Sequence, residues 1–338
     1  MRILYAIQGT GNGHLARALD MYPALRQYGE VDVLVSGIQT EMQLPFPVKY
    51  RFYGLSFIFG KHGGIDKWET AKRMKPLRLI RDILGLPLRQ YDLVVSDFEP
   101  ISSWACRLQG KKLIGLSHQM AVLHADAPKP KHDDAFGRMV LQHYAPAKIQ
   151  MGFHFIPLGD NVFTPVIRAQ VRQLRPDDKG HYTVYLPAYE DVHIIEELSQ
   201  FPTVRWEVFS KKTKRTYRDG NLYIRPIENE AFVQSMASAS GVLCGAGFET
   251  PAEALFLNKK LMVVPMKGQY EQQCNAACLA TMGVPVIDSL SRRNRSQIAF
   301  WLDCGEPVQV HYPDNAGMVA ERIMRYFWTL QPAGLAPM

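Results

Sequence analysis

No stretch of the 338-residue chain approaches the roughly 20 consecutive apolar residues that a membrane helix requires. Cysteine is scarce: Cys106, Cys244, Cys274, Cys278 and Cys304 are the full set. An odd count without a framework spacing excludes a disulfide scaffold. Cys274 and Cys278 lie one helical turn apart, but no His or Cys nearby completes a zinc set, so they read as reduced, packed thiols. The chain also lacks internal repeats, low-complexity segments and the dense basic motif of a nucleic-acid module. Its start is expected to be a strand rather than a signal peptide, because polar Gln8 and a glycine loop interrupt the first apolar run. The expected location is therefore the cytoplasm.

What is present suits a two-domain α/β protein. Hydrophobic residues make up 47% of the chain, and strand-like and helix-like segments alternate throughout. The net charge of +7 and a pI near 9.1 point to an anionic partner, a phosphate group or an acidic lipid rather than nucleic acid. The first series runs "RILYAIQ", "VDVLVSG", "YDLVVSD", "KKLIGLSH" and "KIQMGFHFIP", with helical spacing in "HLARALDMYPALRQYG" and "PISSWACRLQG". A stretch rich in Pro, Gly and charge, 158–181, reads as a connection. The second series comprises "YTVYLP", "RWEVFS", "LYIRPI", "GVLCGA", "KLMVVPM" and "VPVID". The expected layout is a domain over 1–157, the linker, a second domain over 182–314, and a final helix over 315–330. Two doubly wound, Rossmann-like halves put their ligand site between the carboxyl ends of two sheets.

Three constellations carry chemistry. "GTGNGHLARA" follows the first strand, and Gly9, Gly11 and Gly13 allow a sharp turn into a helix N-terminus that carries His14, with Gly11, Asn12 and Gly13 expected as a loop facing acceptor or phosphate. The loop is not a dinucleotide fingerprint, because position 14 is His where that pattern needs Gly. A plain tight turn with a solvated His also fits. Asp97 ends the buried strand "VVSD" on the same edge, placed to orient His14. It also suits a simple N-cap for a helix starting near Pro100. In "LCGAGFETPAEALFLNKKLMVVPMKGQYEQQCNA" a strand ends in Gly245, Ala246 and Gly247. A helix is expected to open at Thr250–Pro251 with Glu253 in its first turn, either holding a ribose or serving as a surface acid favoured by the dipole. Glu271, Gln272 and Gln273 follow at the next strand-to-helix turn, placed to hydrogen-bond a sugar.

These segments resemble the GT-B glycosyltransferases, the group related to the peptidoglycan GlcNAc transferase and to plant and bacterial UDP-glycosyltransferases. The chain is most similar to the GT-28-like bacterial and archaeal members of about this length. "GTGNGHLARA" resembles the group's first loop, "GFETPAEA" its Thr-x-x-Glu donor motif, and "PMKGQYEQQCNA" its Pro loop followed by acid-Gln-x-x-Asn-Ala. The resemblance implies an inverting transfer from a nucleotide-diphosphate sugar, with UDP as the expected nucleotide and no metal or other cofactor. It assigns His14 as general base and Asp97 as its orienting carboxylate. Glu253 and Thr250 fall in the ribose motif, and Gly245 to Gly247 fall beside the diphosphate. Glu271, Gln272 and Gln273 fall on the donor sugar. His118, ending "KKLIGLSH", is the next candidate base.

Two features pull away from that pattern. "LPAYEDVH" (186–193) stands where the group often has a loop rich in glycine and serine, which bears on the nucleotide's identity. "GNGHLARAL" also resembles the GxGHxxR opening of nucleotide-sugar hydrolases, where His14 would activate water. On the acceptor side, 54–81 combines Phe57, Ile58 and Phe59 with Lys67, Lys72, Arg73, Lys75, Arg78 and Arg81. That composition suits an anionic membrane surface, so the acceptor is expected to be lipid-linked or membrane-proximal and the protein peripheral to the membrane. An ordinary strand followed by a solvated basic helix fits the same residues.

Overall fold

The computed structural model describes residues 1–10, 12–37, 44–55, 75–132 and 134–329. Gly11 and residues 56–74, with Phe57, Ile58, Phe59, Lys67, Lys72 and Arg73, lie outside them.

The first half is a seven-stranded, wholly parallel sheet in the order β3-β2-β1-β4-β5-β6-β7. Its strands are β1 (Arg2–Gln8), β2 (Glu30–Ser36), β3 (Tyr50–Phe52), β4 (Leu93–Asp97), β5 (Leu113–Leu116), β6 (Ile149–Phe153) and β7 (Val162–Phe163). The central strands are unbroken apolar runs because helices cover both faces. Helices α1 (Gly13–Arg26), α2 (Pro76–Gly85), α3 (Pro100–Gln109), α4 (His118–Val122) and α5 (Ala135–Tyr144) connect them. Strand order reverses at β1, which has β2 on one side and β4 on the other. The loops leaving β1 and β4 therefore open into one crevice.

The second half is a six-stranded sheet in the order β10-β11-β9-β8-β12-β13. It contains β8 (His181–Tyr185), β9 (Arg205–Ser210), β10 (Tyr217–Asp219), β11 (Leu222–Pro226), β12 (Gly241–Gly245) and β13 (Lys260–Val264), and only β10 runs antiparallel. Its reversal falls between β8 and β12. Helices α7 (Asp191–Leu198), α8 (Asn229–Ser238), α9 (Glu249–Phe256), α10 (Tyr270–Thr281) and α11 (Arg295–Cys304) follow, the short α6 (Ala169–Arg172) having preceded β8. The last helix, α12 (Ala316–Thr329), packs on α1 of the first half.

Several elements differ from the sequence reading. Val162–Phe163, expected within the linker, pairs with β6 as the seventh strand of the first sheet. "VPVID" forms no strand; a single bridge joins Val286 to Val263. The short strands β3 and β10 carry too few residues for a periodic signal. Between the halves, Phe248 from the second packs on Phe155 at 4.9 Å and stacks on His118 at 3.8 Å. One hydrophobic core runs through residues of both sheets.

Gly37, just after β2, touches the loop that leads into α1. It has φ +136°, and a Cβ there would lie 2.7 Å from the Gly9 carbonyl carbon and 2.9 Å from the Thr10 nitrogen. Gly37→Ala is expected to destabilise the protein by about 1–3 kcal/mol through backbone strain. An unchanged denaturant midpoint would show that this loop yields without cost.

Candidate active site

The site begins where β1 ends. Gly9 donates its N–H to the Ser36 carbonyl at 2.6 Å, which turns the chain toward the crevice. Helix α1 starts at Gly13, after an Asn12 whose side chain makes no cap bond. At Gly13 a Cβ would approach Glu249 Cγ to 3.1 Å, so the helix start lies tight against the second half. His14 is the next residue. The parallel register places Ile7 beside Asp97, so the loop leaving β1 and the last residue of β4 are neighbours. His14 Nδ1 lies 2.7 Å from Asp97 Oδ1. The carboxylate accepts, so Nδ1 carries the hydrogen and Nε2 presents a lone pair.

One helical turn on, Arg17 grips the same carboxylate with two bonds, Nε to Oδ2 at 2.9 Å and Nη2 to Oδ1 at 2.7 Å. Nη2 also lies 3.0 Å from His14 Nδ1, but that nitrogen carries the hydrogen given to Asp97 and has no lone pair to accept another. The remaining nitrogen, Nη1, donates to Glu249 of α9. Arg17 is 2% exposed and Asp97 fully buried. Burial alone would raise the Asp97 pKa; the charges of Arg17 and His14 outweigh it and hold the carboxyl below its ordinary range. Burial likewise works against the Arg17 charge, and Asp97 and Glu249 more than restore it. Glu249 fares differently. Burial pushes it up to about 8; Arg17 opposes this, while Glu253 and Asp97 reinforce it.

The turn after Asp97 is strained. Phe98 has φ +54°, a conformation unfavourable for a residue with a Cβ, and its ring lies parallel to that of His14 at 6.3 Å. Glu99, not Asp97, caps α3, accepting from the Ile101 and Ser102 N–H groups. Asp97 thus has no capping task.

In the second half α9 opens at Glu249 rather than at Thr250–Pro251. Glu253 therefore sits in the second turn, and Glu249 is the first-turn acid. Both Glu253 oxygens already accept from Arg168, with Nη2 to Oε2 at 2.7 Å. Arg168 in turn reaches Asn229 Oδ1 at 2.6 Å. A ribose hydroxyl at Glu253 would share it with Arg168, which a carboxylate's remaining lone pairs permit. Ala246 is buried, its carbonyl accepting from Asn275 at 3.0 Å. Gln272 accepts from the Met266 N–H at 2.9 Å. Glu271 Oε2 accepts from Gln119 Nε2 at 3.0 Å, and burial raises its pKa.

A cleft of about 580 Å³ brings most of these groups together. Asn12, Gly13, His14, His118, Gly245, Gly247, Thr250, Glu253, Glu271 and Gln272 line it, but Gln273 and buried Ala246 do not. His118 departs from its expected role as a substitute base. Its Nδ1 faces the Phe153 carbonyl at 2.7 Å, its Nε2 faces Asn275 Oδ1 at 2.5 Å, and burial pushes its pKa down to about 3. It joins the halves, and although it lines the cleft, both its ring nitrogens are turned to partners rather than to the open space. Arg168, Glu249 and Gln119 had no motif to announce them. Arg17 was visible only as the Arg of GxGHxxR.

Two parallel-sheet halves with a cleft between their carboxyl ends define a GT-B glycosyltransferase fold. The chain belongs to glycosyl transferase family 1, whose family model matches residues 1–302. No curated protein matches it in sequence. Among solved structures it is similar to MurG of Acinetobacter baumannii, at 16% identity and TM-score 0.57 over 96% of this chain and 99% of that one. It is also similar to UGT2 of Phytolacca americana, solved with UDP-2-fluoroglucose and pterostilbene, at 14% identity and TM-score 0.56 over 96% and 93%. LpCGTa in complex with UDP aligns at 12% identity and TM-score 0.55 over 98% and 95%.

Glu249 makes stability depend on pH. The folded protein keeps its proton up to about pH 8, whereas an unfolded Glu releases it near 4.5. Between those values the native state binds more protons, so stability falls as pH rises. Asp97 acts oppositely: its stabilisation, present above the unfolded value, is lost as pH falls through its lowered native one. Glu249→Gln should therefore flatten the decline between pH 5 and 8. Denaturant midpoints at several pH values check this, and an identical slope in both proteins would contradict it.

Proposed function

We propose that the protein moves a sugar from a nucleotide-diphosphate sugar, with UDP as the nucleotide, to an acceptor hydroxyl with inversion at the anomeric carbon. The observation that carries this reading is His14 on the wall of a cleft between two sheets, paired at 2.7 Å with the buried Asp97. Two structural neighbours hold UDP or a UDP-sugar analogue, and this supports the choice of donor.

In this reading the acceptor hydroxyl gives its proton to His14 Nε2. Its oxygen bonds to the anomeric carbon as the bond to the diphosphate breaks, and the nucleoside diphosphate leaves. Imidazole suits the task because its ordinary titration lies near neutral pH, and a positioned base contributes about 10²–10⁴-fold. Asp97 keeps the hydrogen on Nδ1 and stabilises the imidazolium that forms. The diphosphate meets the N-terminus of α9, where unpaired N–H groups and the helix dipole accept negative charge, so this chemistry does not require a metal. Glu253 holds the ribose; Glu271 and Gln272 hold the sugar.

His14→Ala is expected to lower turnover about 10²–10⁴-fold while leaving nucleotide-sugar affinity within a few-fold. The assay follows nucleoside diphosphate released from a panel of nucleotide sugars, with and without an acceptor extract. Turnover near the wild-type rate in His14→Ala would remove the base from the reading. Fast release that no extract accelerates would replace transfer by hydrolysis, with water in the acceptor's place.

Among the described residues no helix is long and apolar enough to cross a membrane. The acceptor side nevertheless carries an unusual surface. On α2, Leu77, Ile80 and Leu84 are 83%, 52% and 65% exposed, beside Lys75, Arg78 and Arg81. Apolar tips among cations suit an anionic bilayer surface, at about 1 kcal/mol per basic residue. This supports a lipid-linked or membrane-proximal acceptor. The protein should float with anionic vesicles at low salt, and Leu77→Ser with Leu84→Ser should weaken flotation. Wild-type protein remaining at the bottom of the gradient overturns this part.

A further inference from the structure

Gln119, the second residue of α4, lies between the base and the donor-sugar carboxylate. Its Nε2 donates to Glu271 Oε2 at 3.0 Å, across to the second half. The same nitrogen lies 3.4 Å from His14 Nε2, the edge of the ring that faces away from Asp97. An amide nitrogen has two hydrogens, enough to serve both neighbours, one a carboxylate and one an imidazole lone pair. The carbonyl Oε1 of the same amide is buried without a hydrogen-bond partner. Leaving an oxygen unsatisfied costs about 1–3 kcal/mol. Rotating the amide would set its oxygen against the Glu271 carboxylate and the His14 lone pair. The observed orientation therefore follows from those two acceptors together.

Gln119 is 6% exposed and sits on the wall of the cleft with His14, Glu271 and Gln272. His14 is faced by Asp97 and Arg17 on its Nδ1 side and by Gln119 on its Nε2 side, with Glu271 behind Gln119. The ring is thus held at both nitrogens, and the second hold leads to the other half of the protein.

We propose that Gln119 is a positioning residue that ties the base to the donor-sugar site across the cleft. It holds His14 Nε2 and the Glu271 carboxylate on one hydrogen-bonded line, so the base is aimed where the sugar is held. The acceptor hydroxyl replaces the weak amide contact at Nε2 when it docks, and Gln119 keeps its bond to Glu271. This rests on His14 acting as base.

The test reads the His14 ring directly by NMR in histidine-labelled protein, its signal assigned by loss in His14→Ala. Neither donor nor acceptor is needed. Gln119→Glu puts a carboxylate beside Nε2 and should move the His14 titration midpoint to higher pH by about one unit. Glu271→Gln should shift the midpoint as well, and this shift should fall to about half or less in a Gln119→Ala background, because neighbours in one network are not additive. In the turnover assay Gln119→Ala should lower kcat about 10–100-fold with donor KM within about threefold, as expected of a misaimed base. A Glu271→Gln shift of equal size with and without Gln119, or a Gln119→Ala kcat within twofold of wild type, overturns the proposal. Gln119→Leu serves in place of Gln119→Ala should the latter fail to fold. If His14→Ala itself retains turnover, the base reading fails instead, and the two failures are told apart by that variant.

Discussion

The site depends on one buried cation. Arg17 stands among Asp97, Glu249 and His14, with its guanidinium 5.0 Å over the Phe153 ring. Charges taken out of water are costly unless every one is matched, and removing one partner of such a cluster typically costs about 3–5 kcal/mol. Asp97 supplies the counter-charge from the first sheet, and Glu249 of α9, protonated up to about pH 8, accepts from Arg17 Nη1, so that donor finds its partner only when the two halves are together. The geometry of the His14–Asp97 pair and the packing of one half on the other are thus held by the same side chain. His118, paired with Asn275 and stacked on Phe248, is a second, uncharged seam between the halves.

The geometry of the cleft follows from strand order. In each sheet the order in which strands are added reverses beside its first strand, and the loops on either side of the reversal part to leave a crevice. In the first sheet that crevice holds His14, with Asp97 buried behind it; in the second it holds Gly245, Gly247 and the start of α9. The departures from low-energy backbone lie close by. Phe98 takes a positive φ immediately after Asp97, and Gly37 takes one against the loop before α1. Strain of this kind persists where surrounding packing over-determines it.

Much of this was legible in the residues. The apolar runs and glycine stops locate most strands of both sheets, because buried parallel strands leave a continuous signal. The nearness of His14 and Asp97 could be read as well, since His14 follows the loop that leaves β1 and Asp97 ends β4 of the same sheet. The start of α9 could not. Thr250–Pro251 looks like a first turn, yet the helix begins at Glu249, and the acid at the helix start is consequently Glu249 rather than Glu253. β7 was hidden in a segment whose Pro and Gly content reads as a connection.

By itself the sequence determined the class of the fold, the order of its strands along the chain and the positions of its glycine turns, because these follow from local conformational preference and from the period of apolar residues. It also put a histidine after the loop that leaves one strand and an aspartate at the carboxyl end of another. Only the tertiary structure decided which charges meet. Arg17 reaches Glu249 across 232 positions of sequence, Arg168 reaches Glu253 across 85, and Gln119 reaches Glu271 across 152. Such pairs carry no period and no motif. They are selected by the cost of leaving a buried polar group alone, and that cost arises only once the two halves have closed on each other.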